Sequence, residues 1–490
     1  MKNLFFLCLI ALFSCNSTDT ADTGGETVKA VAEAPGTSTA ALPPAAPARE
    51  KGESENLDFT VKVRGYQGGG EASLIGSLTG NNFKAMVTPI GADGTMRFQK
   101  DEPLPSGMYF LLLPDNRNMQ ILIDEDQTFT MTTDNTDLVN SMEVKGNKES
   151  ELLYDNLRYE ADYQAKFTAL TTQMKSAGGN NKEAETARQA LIDARTVYLE
   201  NLFKKNPNAF FTSFKRSGQN PELRKGLPND AQVWHYRREF WDNVDMRDER
   251  LLRTPVVSNK LKRYITELTP QNPDSIIASA KYLVDKSMPY PEYFKYFANW
   301  ITLNYDQKES KLMDAHAVEV FMIQNYFTNE RAFWSDSVQV FGLQQQAYEK
   351  QASLIGKQGQ NVTAKGPDGK TYSLYDVDAD FTIVYMFNPD CEHCQEQTPQ
   401  LVDFIKNRKD DKVKVFTIAL DTEDKLWKDY VKKVQMDKYF TNVYDPTNRA
   451  IYPNWYVDVT PEIYVLDKNK KIIAKNLQVN QIQTILDQNS

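Results

Sequence analysis

The chain has 490 residues, a formal net charge of −9, 41% hydrophobic residues and four cysteines. A length of this order implies several domains, and the acidic balance argues against nucleic acid or an anionic membrane surface as principal partner. No P-loop, serine triad or EF-hand pattern occurs, and Gly68-Gly69-Gly70 reads as a turn, because no helix or lysine follows it in a phosphate-binding frame.

The N-terminus, "MKNLFFLCLIALFSC", carries a lysine and then a ten-residue apolar run from Leu4 to Phe13. This is shorter than the ~20 residues a membrane-spanning helix needs, so residues 1–14 are predicted to be a signal peptide. Leu12-Phe13-Ser14-Cys15 resembles the bacterial lipobox. That resemblance implies that Cys15 is lipidated on sulfur and becomes the mature N-terminus; an ordinary signal peptide cleaved nearby is the alternative, since Phe13 is unusual at its position. Several acyl chains hold far better than one, each buried methylene contributing roughly 0.8 kcal/mol. The expected location is the cell envelope, anchored by lipid and facing the periplasm. Asn16 stands where inner-membrane retention would call for aspartate, which favours the outer membrane.

Residues 15–56 are rich in Ala, Thr, Pro, Gly and Glu and nearly lack aromatics, so they are expected to form a disordered linker. A flexible chain of this length reaches on the order of 35 Å. From 57 to 146, "LDFTVKVRGY", "ASLIGSL", "FKAMVTPI", "TMRFQK", "GMYFLLL", "MQILIDED" and "TFTMTT" alternate with a two-residue period between turn residues. They predict an antiparallel β sandwich or barrel. From 147 to 352 the period changes to 3.6, as in "ARQALIDARTVYLENLF", where Ala187, Leu191, Ala194, Tyr198 and Leu202 share one face and Pro207 closes the helix. An all-α domain is expected. Its aromatic group Trp234, Tyr236, Phe240 and Trp241 could line a peptide groove, but core packing is the preferred reading. His235 and His316 have no second ligand type nearby and receive no role.

Residues 353–490 carry the chemistry. "FTIVYMF" (381–387) is a continuous apolar run of strand length, as expected of a strand buried on both faces. "NPDCEHCQEQTP" follows, then a helix with Leu401, Phe404 and Ile405 on one face. Further on come a strand in "VKVFTIAL", a helix in "EDKLWKDYVKKV", strands in "EIYVLD" and "KKIIAK", and a closing helix. Cys8 and Cys15 belong to the export segment, which leaves Cys391 and Cys394 as the cysteines of the folded body. A structural zinc site needs four ligands and finds no second pair here, while a c-type haem tether needs histidine where Gln395 stands. No metal or cofactor is expected. What remains is a dithiol/disulfide couple or two unrelated thiols in one helix, and in an oxidising compartment a lone local pair favours the couple.

The order β-α-β-α-β-β-α, with CxxC opening the first helix, is that of a thioredoxin fold. Together with "GPDGKTYSLYDV", Pro399 and "DVTPEIYVLDKNKKIIAK", the region resembles the TlpA/ResA branch of thioredoxin-like thiol-disulfide oxidoreductases. The whole layout, a multidomain chain with N-terminal β, central all-α and C-terminal α/β thioredoxin-like domains, is similar to lipoproteins of the Bacteroidetes group.

Asp390 is a natural N-cap, which would put Cys391 in the first helical turn, where unpaired N–H groups favour a thiolate. Cys391 is then the attacking nucleophile and Cys394 the buried resolving thiol. His393 as a cation would favour the thiolate and Glu392 as an anion would oppose it. The resemblance implies a cis peptide at Thr460-Pro461, with an extended substrate strand pairing beside it. Tyr385 stands where thioredoxins commonly place a buried aspartate, Gln397 where the TlpA/ResA branch places a glutamate, and Pro389-Asp390 where a tryptophan is usual. Glu396 is the adjacent acid that could substitute. The predicted activity is thiol-disulfide exchange on protein dithiols or disulfides, as a reductant served by a redox donor protein. The competing prediction is a binding lipoprotein whose first two domains do the work while the thioredoxin-like end is redox-inert.

Overall fold

The computed structural model describes residues 56–490 except 68, 177–180, 225, 308–309, 449–450, 452–454 and 458. The signal segment, Cys15, the linker up to residue 55 and Gly68 of the glycine triplet lie outside the described residues. Among the described residues no helix is long and apolar enough to cross a membrane.

The alternating segments form β1 (Leu57–Arg64), β2 (Glu71–Leu78), β3 (Asn81–Pro89), β4 (Thr95–Lys100), β5 (Gly107–Leu112), β6 (Asn118–Ile123), β7 (Thr128–Asp134) and β8 (Glu143–Lys145). They make two four-stranded sheets, β4-β1-β7-β8 and β3-β2-β5-β6. Along β1 the residues Leu57, Phe59, Val61 and Val63 are buried and their neighbours are not, the pattern of a half-buried strand. Phe59 stacks between Phe98 and Phe129, with ring centroids 4.8 and 4.7 Å away. One ladder departs from the expected antiparallel sandwich: β1 and β7 pair in parallel. Parallel neighbours need a long crossover, and the strands between them in sequence supply it by building the whole second sheet.

The central helices are α1 (Lys148–Ser176), α2 (Lys182–Lys205), α3 (Phe210–Ser217), α4 (Asn229–Glu239), α5 (Pro255–Thr266), α6 (Pro273–Ser287), α7 (Pro291–Asn304), α8 (Ala315–Tyr326) and α9 (Ser337–Gln351). Proline opens α5, α6 and α7, where its missing N–H costs no helical bond. Met108, Phe110 and Leu122 of the β region belong to the same apolar cluster as the helices, so these two regions share a core. Phe240 and Trp241 are fully buried in it, as core packing requires. Trp234 is not: it is 54% exposed, with the Arg238 guanidinium 5.3 Å from its ring. The face expected for α2 is also displaced. Ala187 and Ala194 are exposed, and the buried side chains are Ala184, Leu199 and Phe203. The other three residues of that face, Leu191, Tyr198 and Leu202, are half-buried, and the Arg195 guanidinium makes two bonds of 2.8 Å to Glu160 of α1.

The C-terminal region contains β9 (Thr363–Lys365), β10 (Thr371–Ser373), β11 (Phe381–Phe387), α10 (Glu392–Lys406), β12 (Val413–Ala419), α11 (Asp424–Lys433), β13 (Thr441–Tyr444), β14 (Glu462–Asp467), β15 (Ile472–Ala474) and α12 (Ile482–Gln488). A seven-stranded sheet runs β10-β9-β13-β12-β11-β14-β15. The expected β-α-β-α-β-β-α series is present, with β13 and the β9/β10 hairpin added to one side. β11 lies near the middle, parallel to β12 and antiparallel to β14, and all its side chains are buried.

Where the helical and C-terminal regions meet, α8 and α9 bury an ion pair: Lys350 Nζ lies 2.6 and 2.8 Å from the Glu319 carboxylate oxygens. Removing one partner leaves an uncompensated buried charge, so Glu319→Leu is expected to cost about 3–5 kcal/mol, whereas Glu319→Leu with Lys350→Met should recover most of that loss. Chemical denaturation of the two variants, followed by far-UV circular dichroism, checks this.

Candidate active site

The buried strand β11 ends at Phe387 and delivers the chain into a short turn. There the Asn388 side-chain oxygen accepts from Asp390 N–H at 2.8 Å, and Asn388 C=O accepts from Cys391 N–H at 3.1 Å. This turn delays helix entry by one residue. Asp390 is therefore not the N-cap; Cys391 is, with extended dihedrals, and α10 begins at Glu392. Asn388 wins because its side chain closes the turn locally and occupies the N–H that Asp390 would bring to the helix. The outcome still favours a thiolate, since an N-cap side chain is the natural acceptor for the first free N–H groups of a helix.

Cys391 is half-buried and Cys394 is fully buried; both are free thiols. Their environments separate them. Burial alone would raise the Cys391 pKa, but hydrogen bonds from Cys394 N–H and thiol, from Thr460 and from His393 N–H outweigh it and bring it below the ordinary thiol value. Burial dominates at Cys394 and pushes it up to about 12. A thiol biased toward thiolate and a thiol held protonated thus sit one helical turn apart. Thr460 and Pro461 close the other side of the site: the Thr460–Pro461 bond is cis, and Cys391 Sγ lies 3.1 Å from Thr460 O. Glu392, His393 and Asp390 are exposed at the mouth, where water screens their charges.

No carboxylate stands behind Cys394 in the positions anticipated. Tyr385 on β11 faces the cysteine side of the sheet, and its hydroxyl lies 2.9 Å from Thr398 Oγ1. Thr398 donates to Cys394 C=O at 2.6 Å, and Tyr430 of α11 donates to the same carbonyl at 3.3 Å. Burial raises the pKa of both phenols, so this lining is a set of neutral hydroxyls. Glu396 is exposed and does not take the acid's place. Gln397 has its side-chain oxygen buried without a hydrogen-bond partner. Thr398 and Tyr430 could not be singled out beforehand; only the packing of α11 over α10 brings the phenol to Cys394. Among the described residues no group of His, Cys, Asp and Glu is arranged to hold a metal ion.

Residues 379–472 match the family described as thioredoxin-like. Among solved structures, the chain resembles a thioredoxin-like protein from Bacteroides caccae at 17% identity and a TM-score of 0.46, covering 56% of this chain and 98% of that one. It also resembles a domain of a possible thiol-disulfide isomerase from Cytophaga hutchinsonii, at 30% identity and a TM-score of 0.26, over 28% of this chain and 93% of that one. A third likeness is the thioredoxin domain of a thiol-disulfide oxidoreductase from Bacteroides vulgatus, at 20% identity and a TM-score of 0.26, over 28% of this chain and 97% of that one. A search of curated protein sequences finds no match.

The two thiols should separate in reactivity. With iodoacetamide at pH 7, the fully reduced protein is expected to be labelled at Cys391 and spared at Cys394. Labelling of Cys391 should rise through a midpoint below the ordinary thiol value of about 8.5. In Cys391→Ser, Cys394 should resist the reagent until the solution is strongly alkaline, in keeping with its value of about 12. Peptide mass spectrometry across pH reads both.

Proposed function

We propose that the protein is a thiol-disulfide oxidoreductase that works through the Cys391–Cys394 couple on protein disulfides, as a reductant, a reading supported by the match of residues 379–472 to the thioredoxin-like family. The observation that carries this is the unequal treatment of the two sulfurs: one accessible and biased toward thiolate, the other buried and held as thiol. A structural disulfide has no use for that asymmetry.

In the reductive direction, the Cys391 thiolate attacks one sulfur of a substrate disulfide. The substrate S–S bond breaks, an S–S bond to Cys391 forms, and the other substrate sulfur leaves as a thiolate that takes a proton from water. Cys394 then gives up its proton and attacks the Cys391 sulfur. The mixed disulfide breaks, the Cys391–Cys394 disulfide forms, and the second substrate sulfur leaves and is protonated. Two electrons have passed to the substrate, and a donor dithiol protein returns them. An extended segment of the substrate pairs with the backbone at Thr460, next to Pro461.

The anchor completes the proposal. Lipidation at Cys15 would tether the protein in the periplasm at the outer membrane, with residues 16–56 as the spacer. Its predicted signature is release: Cys15→Ala should move the protein from the membrane fraction to the soluble fraction and abolish incorporation of labelled palmitate.

The activity is tested by trapping. Cys394→Ser should accumulate a mixed disulfide between Cys391 and substrate that dithiothreitol dissolves, and Cys391→Ser should accumulate none. Turnover of insulin disulfides should fall by at least about 10³-fold in Cys391→Ser, as for loss of an essential nucleophile. Equal turnover in wild type and Cys391→Ser would remove the proposal and leave a binding lipoprotein with a redox-inert end.

A further inference from the structure

Thr460 touches Cys391, and Tyr456 and Glu462 on either side of it in sequence are bonded to other parts of the chain. Four residues before it, Tyr456 is gripped on every side. Its N–H lies 3.3 Å from Ser353 Oγ, and its C=O accepts from the Tyr464 hydroxyl at 2.8 Å. Its ring meets the His316 ring edge-on at 5.2 Å, and Lys350 Nζ stands 5.1 Å from its centre. His316 and Lys350 belong to α8 and α9, and Lys350 is itself fixed by Glu319.

Two residues after Thr460, buried Glu462 accepts from Asn476 N–H at 3.2 Å, and the Asn476 side chain donates to Met313 C=O at 2.9 Å. Next to Asn476, Lys475 is entirely buried. Its ammonium donates to His316 Nδ1 and Ser353 C=O, each at 3.1 Å, and lies 4.0 Å from Asp314 Oδ1. Burial, with Lys475 and Lys350 nearby, brings His316 down to about 2, so the ring is neutral and serves as acceptor. A buried ammonium in this position tolerates little movement, because any shift strands a charge without partners.

We propose that the helical region is a working part of the thiol site: Tyr456 and Glu462 are positioning residues, clamped by His316, Lys350, Ser353, Lys475 and Asn476, that set Thr460 against the Cys391 sulfur. An apolar contact would have joined the two regions with less desolvation. The polar clamp instead engages Tyr456 and Glu462, one before and one after Thr460, with directional bonds. The inference rests on the oxidoreductase reading for its meaning, since it assigns Thr460 a part in setting the reactivity of Cys391.

The test is the rate of Cys391 alkylation against pH in the full chain. The Thr460 carbonyl accepts from the Cys391 thiol, while the Thr460 side chain lowers the pKa of both cysteines and sets the sign of the test. In Tyr456→Leu, alkylation at pH 6 should therefore slow by about threefold or more, with rates converging once Cys391 is fully ionised. Tyr456→Phe keeps the ring and should restore the wild-type profile. A Tyr456→Leu protein that melts earlier but keeps the wild-type profile overturns the inference and leaves the clamp as interdomain adhesive. If Tyr456→Leu does not fold, Ser353→Ala, which removes the hydroxyl facing Tyr456 N–H, carries the same two outcomes. Failure of the oxidoreductase reading shows separately, as wild-type protein that turns over no disulfide.

Discussion

The site depends on one arrangement: a cysteine at the N-cap of α10, next to first-turn N–H groups that no helical carbonyl can reach. Everything around it serves to hold that sulfur there. β11, buried along its whole length, fixes where the helix starts. Asn388 shapes the turn that makes Cys391 the cap. Pro399 lies inside the helix two turns later, with buried Thr398 beside it, directed at Cys394. The nucleophile needs no neighbouring cation under this arrangement, and the exposed positions of Glu392 and His393 agree with that.

The resolving thiol is handled differently. Neutral hydroxyls from Tyr385, Thr398 and Tyr430 line the space behind it, where a carboxylate was the familiar solution. A phenol in an apolar wall stabilises the structure without importing a charge, and a buried carboxylate would have needed its own partners. The consequence is that Cys394 stays protonated until the moment it is used, which slows premature closure of the pair.

Much of this was legible in the chain. The unbroken apolar run of 381–387 announces a doubly covered strand, and the CxxC that follows, in a chain otherwise without cysteines past residue 15, announces its chemistry. The alternating segments of the β region reappear as β1 to β7. A polar side chain overrode the pattern at Asn388, which moved the cap by one residue, and on α2 Ala187 and Ala194 are exposed while Leu191, Tyr198 and Leu202 of the same face are half-buried. His316 was the largest omission. Its partner Lys475 lies 159 residues further along, and no local spacing encodes a bond of that range. The parallel pairing of β1 with β7 is of the same kind, set by the return path of the chain and not by either strand's own residues.

The central claim is that Cys391 and Cys394 form a couple poised for exchange. Its most direct test is the reduction potential of the pair in the body lacking residues 1–55, equilibrated against glutathione and dithiothreitol series and read by thiol alkylation. The account predicts a value near that of thioredoxin, about −270 mV, marking a reductant fed by an upstream donor. A pair that remains oxidised below about −300 mV behaves as a structural staple and contradicts it.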